Sequence, residues 1–115
     1  MVQDCIFCKI INKEIPAEVL YENDDVLVFK DIKPVSPIHL LIIPKKHIPT
    51  FFDLQPEDSR MMGEVQRAAA TVARDMGLAQ KGFRLVANCM EDSGQVIFHL
   101  HYHLLGGKRL PWLAG

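Results

Sequence analysis

Three histidines stand at every second position in His99-Leu100-His101-Tyr102-His103, and they are three of the chain's five. An imidazole titrates near pH ~6.5, so it is largely neutral at pH 7 and can serve as nucleophile, acid–base group or metal ligand. Alternate positions on an extended chain share a face. The three rings therefore project to one side, while Leu100, Tyr102 and Leu104 pack on the other. The apolar, β-favouring flanks Val96-Ile97-Phe98 and Leu104-Leu105 predict a strand. Three imidazoles in register are costly to bury unless each has a partner. The row reads as a site rather than as core packing.

A second group opens the chain. Cys5-Ile6-Phe7-Cys8 is a C-x-x-C, a spacing that suits half a zinc site, a redox pair or two small buried residues. A thioredoxin-type pair follows a strand and opens a long helix, whereas this one precedes only a short predicted turn. Zinc would need two more ligands from His39, His47, His99, His101, His103 and Cys89. His47 lies just past a predicted central strand and His99 opens the histidine strand, so they meet if those strands are neighbours. A catalytic metal held by His99, His101 and His103 is a further reading, but it leaves Cys5, Cys8 and His47 without a role. Cys89 reads as a buried or loop thiol.

The elements that must position these groups follow from pattern. Ile6–Ile11 can form a short helical turn, broken at Lys13-Glu14-Ile15-Pro16. Val19–Glu22 and Val26–Lys30 read as a hairpin around Asn23-Asp24-Asp25. Pro34-Val35-Ser36-Pro37 is a loop, and His39–Ile43 a buried central strand ended by Pro44. One long helix is expected from about Pro56 to Met76, with acids in its first turn and Gly77 after its last. Its stripe Met61, Met62, Val65, Ala68, Ala69, Val72 and Met76 is core. Phe83–Ala87 is another strand and Asn88–Gly94 a polar loop. The expected fold is α+β: an antiparallel sheet with the long helix on one face.

Bulk properties narrow the function classes. The 115 residues suit a single domain, with a core over about 5–107 and a tail over 108–115. The apolar share of 49% and charged share of 23% are those of a globular protein. A net charge of -1 gives no global footprint for nucleic acid or an acidic membrane. No apolar run approaches the ~20 residues of a membrane span. Met1-Val2-Gln3-Asp4 does not open a secretory signal, so the expectation is cytoplasmic, with reduced thiols.

The segment from Gly94 to Leu105 resembles the signature of the histidine triad (HIT) superfamily, a histidine–apolar alternation ending in two apolar residues. Gly106-Gly107, Phe29-Lys30-Asp31-Ile32 and the run from His39 to His47 are similar to the Hint branch, the purine nucleoside phosphoramidase-like proteins. The likeness spans about Cys5 to Trp112, with its motifs in order. It implies a homodimer of five-stranded sheets with a long helix at the contact, and a nucleotide monophosphate site. His101 would be the nucleophile, forming a covalent nucleotidyl-histidine that water hydrolyses. His103 and His39 would line the phosphate pocket, with Asn88 and Gln95 as uncharged donors and Gly94 allowing close backbone approach. Asp31 would accept from the ribose hydroxyls, although a turn-forming role fits it too. Phe7, Ile10, Phe29 and Ile32 would flank the base, although core packing explains each as well. Lys45 and Lys46 read as a solvated edge. Some family members use a C-x-x-C pair, a further histidine and the first triad histidine as a structural zinc site. By position these are Cys5, Cys8, His47 and His99. The resemblance thus implies a hydrolase of purine nucleoside 5′-phosphoramidates or related conjugates. The alternatives are a dinucleoside polyphosphate hydrolase or nucleotidyltransferase, and a non-catalytic module that binds AMP or GMP.

Two departures stand out. Many members carry Ser or Thr where Val96 stands, and Val has no hydroxyl for the leaving group. The tail is short, and Trp112 either reaches a partner's site or simply packs.

Overall fold

Five antiparallel strands form one sheet, in the spatial order Val19–Glu22, Val26–Lys30, Ile38–Pro44, Tyr102–Gly106 and Arg84–Ala87. In the computed structural model, residues 4–112 are described. Met1-Val2-Gln3, read above for a signal, and residues 113–115 of the tail lie outside them. The chain runs α1 (Ile6–Ile11), β1 (Val19–Glu22), β2 (Val26–Lys30), β3 (Ile38–Pro44), α2 (Ser59–Asp75), β4 (Arg84–Ala87) and β5 (Tyr102–Gly106). This is the expected α+β architecture. The Asn23 side chain closes the β1–β2 hairpin by accepting from the Asp25 and Val26 amides.

Central β3 is apolar from Leu40 to Ile43 because both its faces are covered there. Leu40 and Ile42 join Val26, Val28 and Leu104 under the α2 stripe of Val65, Ala68, Ala69 and Val72. Leu41 and Ile43 face the other way, with Leu27, Phe29, Phe7 and Ile10. The functional groups lie on this second face, at its edge with α1.

Two boundaries differ from expectation. Pro56–Asp58 is a separate 3-10 turn and the α-helix starts at Ser59. Asp58 turns its carboxylate back onto the Gln55 amide at 2.9 Å and Lys46 at 2.6 Å, which tightens that turn. The second difference concerns the histidine segment, where pairing covers only Tyr102–Gly106. Beyond Ile42↔Tyr102 the partner strand ends at Pro44, and the Leu100 amide donates to the Ile48 carbonyl instead. The alternation persists without the ladder. Leu100 packs on Ile48 and Met61, while His99 and His101 are buried on the opposite side.

Gly107 makes the exit from β5 possible. It sits at φ +92°, and a Cβ there would lie 2.9 Å from Pro37 Cβ and 3.5 Å from the Ile38 nitrogen. Gly107→Ala is therefore expected to cost about 1–3 kcal/mol, read from the denaturant midpoint. Gly106→Ala meets only the movable Leu78 side chain and should cost less.

Candidate functional site

Register brings His39 and His103 together. Leu41 pairs with His103 and His39 with Leu105, so His39 and His103 are diagonal neighbours on one face. Their rings meet at His39 Nε2 and His103 Nδ1, 2.9 Å apart. The His101 ring lies 5.2 Å from that of His103, centroid to centroid.

Fixed backbone partners decide which nitrogen carries each proton. The His99 carbonyl can only accept, so His101 Nδ1–H donates to it at 2.8 Å. A neutral His101 then has its lone pair on Nε2. At the other end, the Val35 N–H can only donate, and it donates to His39 Nδ1 at 3.1 Å. A neutral His39 therefore carries its proton on Nε2 and donates to His103 Nδ1, with Asp31 Oδ2 a second acceptor at 3.3 Å. That leaves His103 with an Nε2–H. One bare nitrogen and one N–H donor result, two residues apart. Burial lowers the pKa of both His101 and His103 from 6.5, and for His103 the neighbouring His101 and His39 add to it. Both rings are neutral near pH 7.

These groups open on a cavity of about 630 Å³. Phe7, Ile10, Phe29, Asp31 and Ile32 line it together with Asn88, Gly94, Gln95, Val96, His101 and His103. Phe7, Ile10 and Phe29 are core and wall at once, whereas Ile32 is 92% exposed and has no packing role to explain it. Asp31 forms the turn named as its other role, Oδ1 accepting from the Lys33 amide at 2.8 Å, and its Oδ2 faces His39. Val96 is 84% exposed at the rim. Lys45 and Lys46 are elsewhere, paired with Glu22 and Asp58.

Gln95 differs from its expected role. It lines the cavity, yet its amide is spent on backbone. Nε2 donates to the Pro49 and Ile97 carbonyls, and Oε1 accepts from the Met90 amide. Neither amide hydrogen is left to donate to a phosphate.

The second cluster gathers Cys5, Cys8, His47 and His99, whose ligand atoms lie within 4.8 Å of one another. Cys5 caps α1, accepting from the Cys8 amide through its sulfur. His99 Nε2–H donates to the Pro44 carbonyl at 2.8 Å, which leaves Nδ1 as a lone pair 3.2 Å from His47 Nδ1 and 3.3 Å from Cys5 Sγ. Burial pushes His99 down to about 4 and Cys8 up to about 11. His99 is thus a neutral ligand, and a dication would draw the thiol proton off. Two sulfurs and two imidazoles are a tetrahedral zinc set.

Asp31, His39 and His103 also cluster within 4.8 Å. They do not suit a metal, because the Val35 amide leaves His39 Nε2 protonated. The three triad rings do not converge on one point either, since His99 turns into the cysteine cluster. Phe7, set between the two cysteines, packs edge-on against His99 and His101 with centroids 5.8 and 5.1 Å away. The decisive backbone groups, the Val35 amide and the Pro44 and His99 carbonyls, carry no residue-type signal.

Comparison with known proteins places this geometry. The HIT domain model matches residues 12–110. An uncharacterised HIT-like protein of Synechocystis is 46% identical over the full length of both chains. The purine nucleoside phosphoramidase of Escherichia coli K12 is 44% identical, covering 99% of this chain and 97% of that one. A HIT family hydrolase from Legionella pneumophila superimposes with a TM-score of 0.93 at 46% identity, covering 97% of this chain and all of the other.

Proposed function

The chain belongs to the HIT domain family, and from that membership we propose that it hydrolyses purine nucleoside 5′-phosphoramidates or related nucleotide conjugates. The observation that carries this reading is the His101 Nδ1–H bond to the His99 carbonyl. It holds the Nε2 lone pair bare toward the cavity, as a nucleophile requires. Nε2 attacks the α-phosphorus, the bond to the leaving amine breaks, and the amine departs with a proton taken from solvent, matching the one that the attacking water later gives back. Water then cleaves the P–Nε2 bond, releasing the nucleoside monophosphate and restoring the ring. His103 Nε2–H donates to a phosphoryl oxygen, where such donors act most strongly. The apolar wall of Phe7, Ile10, Phe29 and Ile32 takes the base, and Asp31 the ribose.

The same reading includes one structural zinc on Cys5, Cys8, His47 and His99, supported by the donor set and by the Pro44 carbonyl that orients His99. With four protein ligands it has no open position for substrate. The reading also includes a homodimer: β4 is a sheet edge, Phe83 beside it is 41% exposed, and Trp112 is 79% exposed. Among the described residues no helix is long and apolar enough to cross a membrane.

A panel of adenosine and guanosine phosphoramidates and dinucleoside polyphosphates tests the activity. Phosphoramidates should turn over fastest. Preference for the polyphosphates would overturn the substrate class, and binding of AMP without turnover of any compound would make this a regulatory module. Val96→Ser should reorder the amine leaving groups, because it adds a hydroxyl at an open rim position. An unchanged ranking would show that the rim does not contact the leaving group.

A further inference from the structure

The cavity rim is held in a conformation its own backbone disfavours. Met90 has φ 69° and ψ -176°, a combination that is essentially reserved for glycine. Three hydrogen bonds fix it there. Its amide donates to Gln95 Oε1 at 2.8 Å, and its carbonyl accepts from Ser93 Oγ at 2.7 Å and the Gln95 amide at 3.2 Å. Gln95 is itself buried. Its Nε2 reaches across to the Pro49 carbonyl at 2.9 Å and back to Ile97 at 3.1 Å. One amide side chain thus joins three backbone segments. Pro49 lies two residues beyond His47. Met90 opens the turn between β4 and the histidine segment, and Ile97 leads into His99.

We propose that Gln95 is a positioning residue, which clamps the Met90 turn so that residues 94–97 face the reacting phosphate at a fixed distance from His101. This rests on the hydrolase reading above and assigns Gln95 no contact with the substrate. All its side-chain hydrogen-bonding groups are engaged in the clamp, so any work on the phosphate goes through the rim it holds. Phe7, Ile10 and Phe29, from α1 and β2, make no hydrogen bond with Gln95. Loss of the clamp should therefore slow the chemical step and spare nucleoside binding.

The experiment compares wild type, Gln95→Met and the double variant Gln95→Met/Met90→Gly. Methionine keeps the length of the side chain and removes its hydrogen bonds. Glycine adopts the Met90 conformation without strain. Amide hydrogen exchange over residues 88–97 should speed up in Gln95→Met and slow again in the double variant. Hydrolysis of an adenosine phosphoramidate should fall in kcat by about 10- to 100-fold, with KM nearly unchanged, and recover in part with glycine at position 90. Unchanged exchange in Gln95→Met would overturn the clamp. Lost activity that glycine does not rescue, with exchange unaltered, would show that Gln95 acts on the substrate directly. If the wild type hydrolyses no phosphoramidate yet the exchange pattern holds, the clamp stands and the activity reading fails.

Discussion

His101→Ala should reduce phosphoramidate turnover by about 10⁴-fold or more, as loss of a covalent nucleophile does, while AMP still binds. The separation follows from where the groups lie. The lining proposed to take the nucleoside, Phe7, Ile10, Phe29, Ile32 and Asp31, comes from other elements than the His101 segment. The Phe7 edge contact is the one part of that lining that would relax. Alanine leaves the backbone of the segment and the His39–His103 bond in place, so the variant should fold. Quenching a wild-type reaction and weighing the protein should reveal one added nucleotidyl group, absent from His101→Ala. Turnover within about tenfold of wild type would remove His101 as nucleophile. His103 could not replace it without reversing the proton order that the Val35 amide sets through His39.

Cys5→Ser should remove the metal and much of the stability together. Serine is the cleanest substitution because its oxygen can still accept from the Cys8 amide and cap α1. What disappears is one of four ligands. Wild-type protein should contain one zinc per chain and Cys5→Ser little or none. A loss of about 4 kcal/mol or more is expected, which for a domain of this size lowers Tm by about 10–20 °C. A chelator should lower the wild-type Tm toward that of the variant and leave the variant unmoved. Native protein that carries no metal, and whose Tm ignores both chelator and substitution, would dismiss the site. Molecules of Cys5→Ser that remain folded should keep most of their kcat, since no ligand contacts the cavity as a reacting group.

Side-chain identity was informative where chemistry and periodicity coincide. The α2 stripe, the both-sided apolar β3 and the alternation through the triad follow from residue type alone, and they fix which face carries the rings. The split of His99 from His101 and His103 followed from the resemblance and the leftover Cys5, Cys8 and His47. Pattern could not show that His99 and His101 lie outside the sheet while His103 stays in it. Val96 to Leu105 is β-favouring, but a strand also needs a neighbour, and β3 ends at Pro44. The Pro56 turn has a similar origin, because Asp58 answers to Gln55 and Lys46 rather than to helix propensity. The engagement of Gln95 is hidden in the sequence for another reason. Its type suits a phosphate donor, and only the positions of three distant backbone groups reveal that the amide is already engaged.

His99 faces the cysteine cluster with its ring and the His101 ring with its carbonyl. A carbonyl is common to all twenty residues, so what His101 requires of position 99 is independent of what the cysteines require. The two sites can therefore be inherited separately. A lineage could exchange Cys5, Cys8, His47 and His99 for well-packed apolar side chains, give up the proposed zinc site, and still present the same His101 nitrogen to the cavity.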